Sequence, residues 1–331
     1  MKKLLTLLLT LFVAIGLLAA CGQDNAEQEA GNNEIQTKEN ANTETAETES
    51  AFPVTITDAS DEEVVIEEKP ERIVSLIPSN TEIAFALGLG EEVVGVSDYD
   101  NYPEEVNEKE KIGGMELNVE KIIGLNPDLV LAHASGAHTS AEGLKQLKSA
   151  GITVLVVNDA AAFNDVYDSV KMIGQATGTS DKAQKVIDEM SEKLFEIQEK
   201  AAAISEEEQV TVWLEVSPAP DIYTAGKGTF MNQMLEIIHA KNAAADQEGW
   251  VKFTEEDAVK LNPDVIVTTY GYYVENPKEQ ILSRDGWQGV PAVKNERVYD
   301  VHSDLVSRSG PRLVEGVEEL AAVIYPDVFA K

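Results

Sequence analysis

The chain has one cysteine, Cys21, in 331 residues. No internal disulfide can staple it, so its stability has to come from packed cores. Basic residues are scarce: 26 Lys and Arg stand against 59 Asp and Glu, for a formal charge of −33. Nucleic acid needs a basic face and an anionic lipid surface repels an acidic chain, so both are excluded as partners. A surface this acidic keeps a protein soluble and suits a salty or alkaline medium. Four scattered histidines are close to background for this length, so a protein-built zinc or manganese site is not indicated. Catalytic signatures are also missing: there is no G-x-S-x-G elbow, no Walker A loop and no H-E-x-x-H. Gly88-Leu89-Gly90 lacks the following glycine of a dinucleotide loop and reads as a helix cap. His302-Ser303-Asp304 are sequence neighbours, whereas triad groups converge from separate elements. The expectation is a binding protein with no intrinsic cofactor, not an enzyme.

The first fifty residues stand apart. Met1-Lys2-Lys3 and the apolar run 4–18 form a secretory signal, too short for a comfortable membrane span. It ends in Leu18-Ala19-Ala20-Cys21, which resembles the box of bacterial lipoproteins, where cleavage precedes a lipidated cysteine. Residues 1–20 are therefore read as signal peptide. Residues 21–50, rich in Glu, Asn, Thr and Ala and lacking aromatics, are read as a disordered acidic tether with a reach of roughly 30 Å. The expected location is the outer face of the cytoplasmic membrane, held there by the lipid at Cys21 alone.

One stretch occurs twice. Residues 118–132 read NVEKIIGLNPDLVLA and residues 254–268 read TEEDAVKLNPDVIVT, and the LNPD core recurs at an offset of 136 residues. Each copy predicts a short helix capped by Asn118 or Thr254, a stop at Asn-Pro, and a strand buried on both faces. A unit repeated once at this period implies two similar α/β lobes. Glu120 and Glu256 fall at matching places in the first turns. An acid there complements the helix dipole for a few tenths of a kcal/mol to ~1 kcal/mol. Matched on two lobes, the pair also suits a two-fold partner bearing two cations.

Elsewhere, apolar runs alternate with helical patterns, which predicts mostly parallel sheets with ligand outside the carboxyl ends of the strands. The expected division is an N-terminal lobe over 51–178, a bridging helix over 179–204 and a C-terminal lobe over 205–331. Val186, Ile187, Met190, Leu194 and Ile197 supply the bridge's apolar stripe. Residues 217–229 read as a loop. Tyr99, Tyr223, Trp250 and Tyr270 fall on the expected ligand edge, where flat aromatic faces suit a macrocycle or bulky chelate.

The segments RIVSLIPSNTEIAFALG, VVGVSDYDNYP, NVEKIIGLNPDLVLA, WVKFTEEDAVKLNPDVIV and HSDLVSRSGPR resemble the substrate-binding proteins of bacterial ABC importers, in the class with a rigid helical backbone. That class takes up cobalamin, ferric siderophores and haem, and the resemblance is first to its cobalamin-binding members. It implies that Glu120 and Glu256 dock on arginines of a permease dimer that carries ATPase subunits. It also implies that Tyr99, Tyr223 and Trp250 line a corrinoid cleft, with Asp304 and Arg308 as a ligand-proximal acid and base. Asp304 and Arg308 also fit a local loop salt bridge, worth ~0–1 kcal/mol if exposed. Where the cobalamin proteins carry a tryptophan before the first docking helix, this chain has Gly113-Gly114-Met115. A ferric hydroxamate siderophore is therefore the alternative ligand, and haem, with Met115 or His302 as axial ligand, the third. A trianionic catecholate suits least, because Lys227, Arg308 and Arg312 are the few cations near the expected cleft.

Overall fold

The computed structural model describes residues 52–329; the signal peptide, Cys21 and the tether lie outside them. Two antiparallel strands, β1 (Val54–Thr57) and β2 (Glu63–Ile66), form an entry hairpin. Then β3 (Ile73–Ser75), α1 (Pro78–Ala86), β4 (Val93–Val96), β5 (Glu110–Lys111), α2 (Val119–Gly124), β6 (Leu129–His133), α3 (Ala134–Ala137), α4 (Ala141–Ser149) and β7 (Thr153–Val157) alternate along the chain. Their strands make one parallel sheet in the order β5-β4-β3-β6-β7. The two central strands are buried throughout, because helices cover both faces.

Two helices leave this lobe, α5 (Phe163–Ala176) and α6 (Ser180–Ala201). Lobe two then comprises β8 (Thr211–Glu215), β9 (Ile222–Ala225), α7 (Phe230–Ile237), β10 (Lys241–Asn242), β11 (Trp250–Phe253), α8 (Glu255–Lys260), β12 (Val265–Thr268), α9 (Pro277–Leu282), α10 (Pro291–Lys294), β13 (Val298–Asp300), α11 (Ser303–Ser307), α12 (Leu313–Ile324) and α13 (Pro326–Phe329). Its parallel sheet runs β10-β8-β12-β13. The segment 217–229, expected as a loop, contains β9, which pairs antiparallel with β11. Among the described residues no helix is long and apolar enough to cross a membrane.

The LNPD repeat performs one structural task in both lobes. Asn126 and Asn262 end α2 and α8 in the left-handed region, at φ 48° and 50°. Asparagine tolerates that conformation better than most residues. The following aspartate then ties its strand to a neighbour. Asp128 N–H donates to the Arg72 carbonyl at 2.8 Å, and its Oδ2 accepts from the Glu71 and Arg72 amides at 2.9 Å each. Asp264 N–H donates to the Thr211 carbonyl at 2.8 Å, and its Oδ2 accepts from the Thr211 amide at 2.8 Å. The motif recurs because each central strand has to be set in register with the strand that opens its sheet.

The long helix joins the lobes, and α5 lies against it. In α6, Ala183 and Ile187 enter the core of lobe one, while Met190, Leu194, Ile197 and Ala201 enter that of lobe two. In α5 the polarity is reversed: Phe163 and Val166 pack into lobe two, and Val170, Ile173 and Ala176 into lobe one. A cross-lobe hydrogen bond, Phe163 N–H to Gln233 Oε1 at 2.8 Å, fixes the far end of α5. Two packed helices crossing the junction resist large hinge rotation better than one strand of chain would.

Candidate functional site

The carboxyl ends of β3 and β6 face α11 and β11 of lobe two across a cavity of about 370 Å³. Its walls include Ile77, Ser79 and His133 from lobe one and Phe230, Trp250 and Arg308 from lobe two. Trp250 is 51% exposed, and its ring meets Phe230 edge-on with centroids 6.0 Å apart. Tyr223 pairs with Lys252 and Trp250 with Ala225, which sets both aromatics on one face of the β9–β11 ribbon. Tyr223 is exposed there but lines neither cleft cavity. A smaller cavity of about 240 Å³ opens from lobe one, shares Ile77 and His133 with the first, and is lined by Tyr99 and Met115. Tyr99 is 56% exposed.

His133 sits where the two cavities meet, a position the sequence reading passed over as background. Its Nδ1 lies 2.8 Å from Ser135 Oγ and accepts from the Ser135 amide at 3.2 Å. Burial pushes its pKa below the usual imidazole range, and the charge of Asp159 opposes this only in part. With Nδ1 accepting from the Ser135 amide, the neutral ring carries its proton on Nε2, which is then a donor. His302 is exposed at the start of α11 and lines neither cavity.

Asp304 and Arg308 do pair, at 3.0 Å, but not as an isolated loop bridge. Arg308 Nη1 donates to Glu82 Oε1 at 2.9 Å and to Asn101 Oδ1 at 2.8 Å, and its Nη2 donates to the Tyr99 carbonyl at 3.2 Å. Arg312 donates to the same Glu82 through Nε at 3.0 Å and Nη2 at 2.7 Å, and its guanidinium lies 3.8 Å from the Tyr102 ring centroid. Asn101 Nδ2 donates to Asp304 Oδ2 at 2.9 Å. This is a clasp between lobes, with Glu82, Asn101 and Tyr102 on one side and Asp304, Arg308 and Arg312 on the other. Sequence reading missed Glu82. The signal for it is a lone acid in α1, a helix otherwise without a charged face, where an unpaired carboxylate would be costly to bury.

Tyr270 does not belong to the cleft. It is 1% exposed, and its hydroxyl donates to Glu215 Oε1 at 2.7 Å. Glu215, fully buried, also accepts two bonds from Arg284, at 2.8 and 3.0 Å, and one from Trp213 Nε1 at 3.1 Å. Four donors meet on this one carboxylate, and Arg284 also lies 3.7 Å from Glu255 of α8. Burial and the Glu215 charge push the Tyr270 phenol well above its ordinary range. Position in sequence could not separate this tyrosine from the exposed Tyr272 and Tyr273 beside it.

Glu120 and Glu256 are both exposed in the first turns of α2 and α8. Asn118 accepts from the Lys121 amide at 3.0 Å and Thr254 from the Asp257 amide at 3.1 Å, so both helix starts are capped as expected. Neither glutamate forms an ion pair with another described residue. Nearby ion pairs use Glu110 with Lys121, Asp257 with Lys260, and Glu255 with Arg284.

Known proteins share this architecture. An uncharacterized ABC transporter substrate-binding lipoprotein of Bacillus subtilis (strain 168), YvrC, is 54% identical over 99% of both chains. A cobalamin-binding protein of Halobacterium salinarum (strain ATCC 29341 / DSM 671 / R1) is 29% identical over 82% of this chain and 74% of its own. A crystal structure of a possible iron-binding (periplasmic solute-binding) protein from Staphylococcus epidermidis ATCC 12228 superposes with a TM-score of 0.71 at 42% identity, covering 78% of this chain and all of the other. The family model described as periplasmic binding protein matches residues 73–305. Two parallel-sheet lobes, a helical junction between them and this breadth of similarity agree: the chain belongs to the periplasmic binding protein family.

Proposed function

We propose that this protein captures a preformed, electrically neutral metal chelate between its lobes, a corrinoid of the cobalamin type first, and hands it to an ABC permease dimer with its ATPase subunits. It binds and does not catalyse. Arg308 is the one cation lining the larger cavity, and it already serves Glu82 and Asp304. Arg312 is held by Glu82 as well, and Lys227 lies 4.0 Å from Glu248. A polyanionic catecholate therefore has no free positive charge to meet, whereas amide-rich cobalamin needs only donors, acceptors and aromatic faces. Trp250 and Tyr99 supply the faces; the neutral His133 supplies a donor, and Arg308, whose two Nη groups are committed to the clasp, has only Nε to offer. Among the described residues no group of three or more His, Cys, Asp or Glu could hold a bare ion, which favours a cargo whose metal arrives already chelated. The name of the Halobacterium relative supports the corrinoid reading.

In this reading 51–178, 179–204 and 205–331 act as lobe, bridge and lobe, and Cys21 carries the lipid that holds the protein outside the membrane. Tyr99, Tyr223, Trp250, Asp304 and Arg308 form or border the cargo site, and Glu120 and Glu256 dock on the permease. A neutral ferric hydroxamate is the second reading, favoured by the Staphylococcus structure described as possibly iron-binding. Haem ranks below both, because Met115 is largely exposed and His302 lines neither cavity.

Fluorescence titration decides between them. Trp213 and Trp287 are fully buried and Trp250 is exposed, so contact quenching in the cleft acts on Trp250, while energy transfer to a coloured chelate reaches all three. Cyanocobalamin is expected to quench saturably, and the residual tryptophan signal of Trp250→Phe is expected to report weaker binding of the same ligand. Saturable quenching by a ferric hydroxamate alone moves the same residues to iron uptake. A Soret shift with haemin alone refutes the neutral-chelate argument.

A further inference from the structure

Beside the clasp lies a groove that shares no lining residue with either cleft cavity. It encloses about 810 Å³, and its walls come from α1 of lobe one, the joining helix α6 and α12 of lobe two. Phe85, Val186, Met190 and Val314 give it an apolar floor drawn from the cores of both lobes. Glu82 and Arg312 of the clasp complete it, so an occupant touches both lobes and the clasp at once.

The rim is acidic and largely unpaired. Glu82 is committed to the two arginines, and Glu189 lies 3.9 Å from Lys185. Glu105, Glu192, Glu196 and Glu315 are exposed and form no ion pair among the described residues. Lys193 is the one base set against these four, and it closes on none of them. Glu189, Glu192 and Glu196 recur at three- and four-residue spacing, so they form one stripe along α6 with a carboxylate at each turn of about 5 Å. Like charges at that spacing repel. The helix that joins the lobes therefore carries a repulsive edge beside an apolar trough. A cation with an apolar body relieves both, by pairing with the edge and drying the floor.

Other occupants fail on charge or shape. Residues 21–50 hold one lysine against eight acids, and a second copy of a chain at −33 brings more of the same sign. A bare metal ion gains nothing from the floor, and among the described residues no group of three or more acids, histidines or cysteines closes tightly enough to hold one. We propose that the groove binds an aliphatic polyamine, a flexible chain of ammonium groups joined by short methylene runs. The methylenes lie on Phe85, Met190 and Val314. The ammonium groups meet Glu192 and Glu196 from α6, Glu315 from α12 and Glu105 from the segment between β4 and β5. The volume is that of a small-molecule site, and the ligand ties the lobes whichever chelate the cleft takes.

The test is calorimetric titration of the protein with spermidine at about 0.15 M salt, where diffuse attraction to an acidic surface is screened. One saturable site is expected, with a dissociation constant on the order of 0.1 mM. The double substitution Glu192→Gln with Glu315→Gln should weaken it about tenfold. Glu206→Gln with Glu207→Gln, which removes the same charge from exposed positions beyond α6, should leave it unchanged. Hexaamminecobalt(III) carries the same triple charge without methylenes and should bind about tenfold more weakly or worse, because the floor gives it nothing. Spermidine should also raise the melting temperature of the parent more than that of the rim variant. Absence of a saturable site overturns the proposal, as does equal weakening by the two double substitutions. Equal affinity for hexaamminecobalt(III) reduces the effect to charge and overturns it too. A basic amphipathic peptide that binds the groove where spermidine does not replaces the polyamine with a helical partner and refutes the assignment.

Discussion

Replacing Glu82 by glutamine tests whether the lobes are held by chemistry or merely by proximity. The Glu82 carboxylate is 3% exposed and accepts three charge-assisted bonds, at 2.7, 2.9 and 3.0 Å, from two arginines more than 220 residues away. Glutamine keeps one acceptor oxygen and turns an NH2 group toward a guanidinium. Removing one member of a buried ion pair costs ~3–5 kcal/mol, because the partner's charge remains. Two features reduce that figure. The arginine side chains are 13% and 14% exposed, and Arg308 keeps Asp304, Asn101 and the Tyr99 carbonyl. Arg312 keeps the Tyr102 ring, a contact worth ~0.5–2 kcal/mol, and the more distant charge of Asp304. The net loss is therefore ~2–4 kcal/mol, or a fall in Tm of roughly 5–15 °C for a chain of this size. Thermal and urea unfolding by circular dichroism would measure it. A double-mutant cycle with Arg312→Gln should give stronger coupling than one with Arg308→Gln, since Arg308 has alternative partners. X-ray scattering should show a larger radius of gyration for Glu82→Gln as the clasp opens. Coupling to Arg312 below ~0.5 kcal/mol, the scatter expected of independent sites, refutes the reasoning. So does a Tm loss no larger than that of Lys252→Gln, which breaks the solvent-exposed pair with Asp221.

Three further outcomes are expected. Glu120→Arg with Glu256→Arg should abolish cargo uptake in cells and leave Tm and cyanocobalamin titration unchanged; uptake that persists removes the docking role. His133 titrates below the usual imidazole range, so between its folded value and about 6.5 the unfolded chain binds a proton that the folded chain does not. Stability therefore falls as pH drops through that window and is flat above it, and His133→Asn should flatten the fall in Tm between about pH 7 and 5 relative to the parent. An identical slope in both proteins contradicts the assignment. Asn126→Ala and Asn262→Ala should each cost ~1–2 kcal/mol in urea unfolding because φ is positive there, while Asn→Gly at either place should cost much less.

The two-lobe α/β plan was legible in the sequence because its causes are local. Apolar runs of four or five residues mark strands buried on both faces, Asn118 and Thr254 mark helix starts, and LNPD marks the stop and the strand staple. Glu120 and Glu256 are each placed in a first turn by their own repeat, and the structure leaves both exposed and without an ion pair among the described residues. The bridging stripe of α6 followed from periodicity, and its junction role from its place mid-chain.

What the tertiary structure decided depends on which distant groups meet. Asp304 and Arg308, expected from the resemblance as a ligand-proximal acid and base and locally as no more than a loop bridge, are met by Glu82 and Asn101, more than 200 residues earlier, in an interlobe clasp. Tyr270 read as a cleft aromatic until Glu215 and Arg284 drew its hydroxyl inward. The strand β9 was hidden in a loop-like composition, because antiparallel pairing with β11 is a property of two segments and not of one. The smaller cavity beside Tyr99 is bordered by residues of β6, α3, α4 and the loops between strands and helices, and an unfilled volume has no signature in any single stretch of chain. Local propensity and pattern act within a few residues along the chain and therefore set the elements and their order. Charge pairing, burial and empty space act across the fold and therefore set the site.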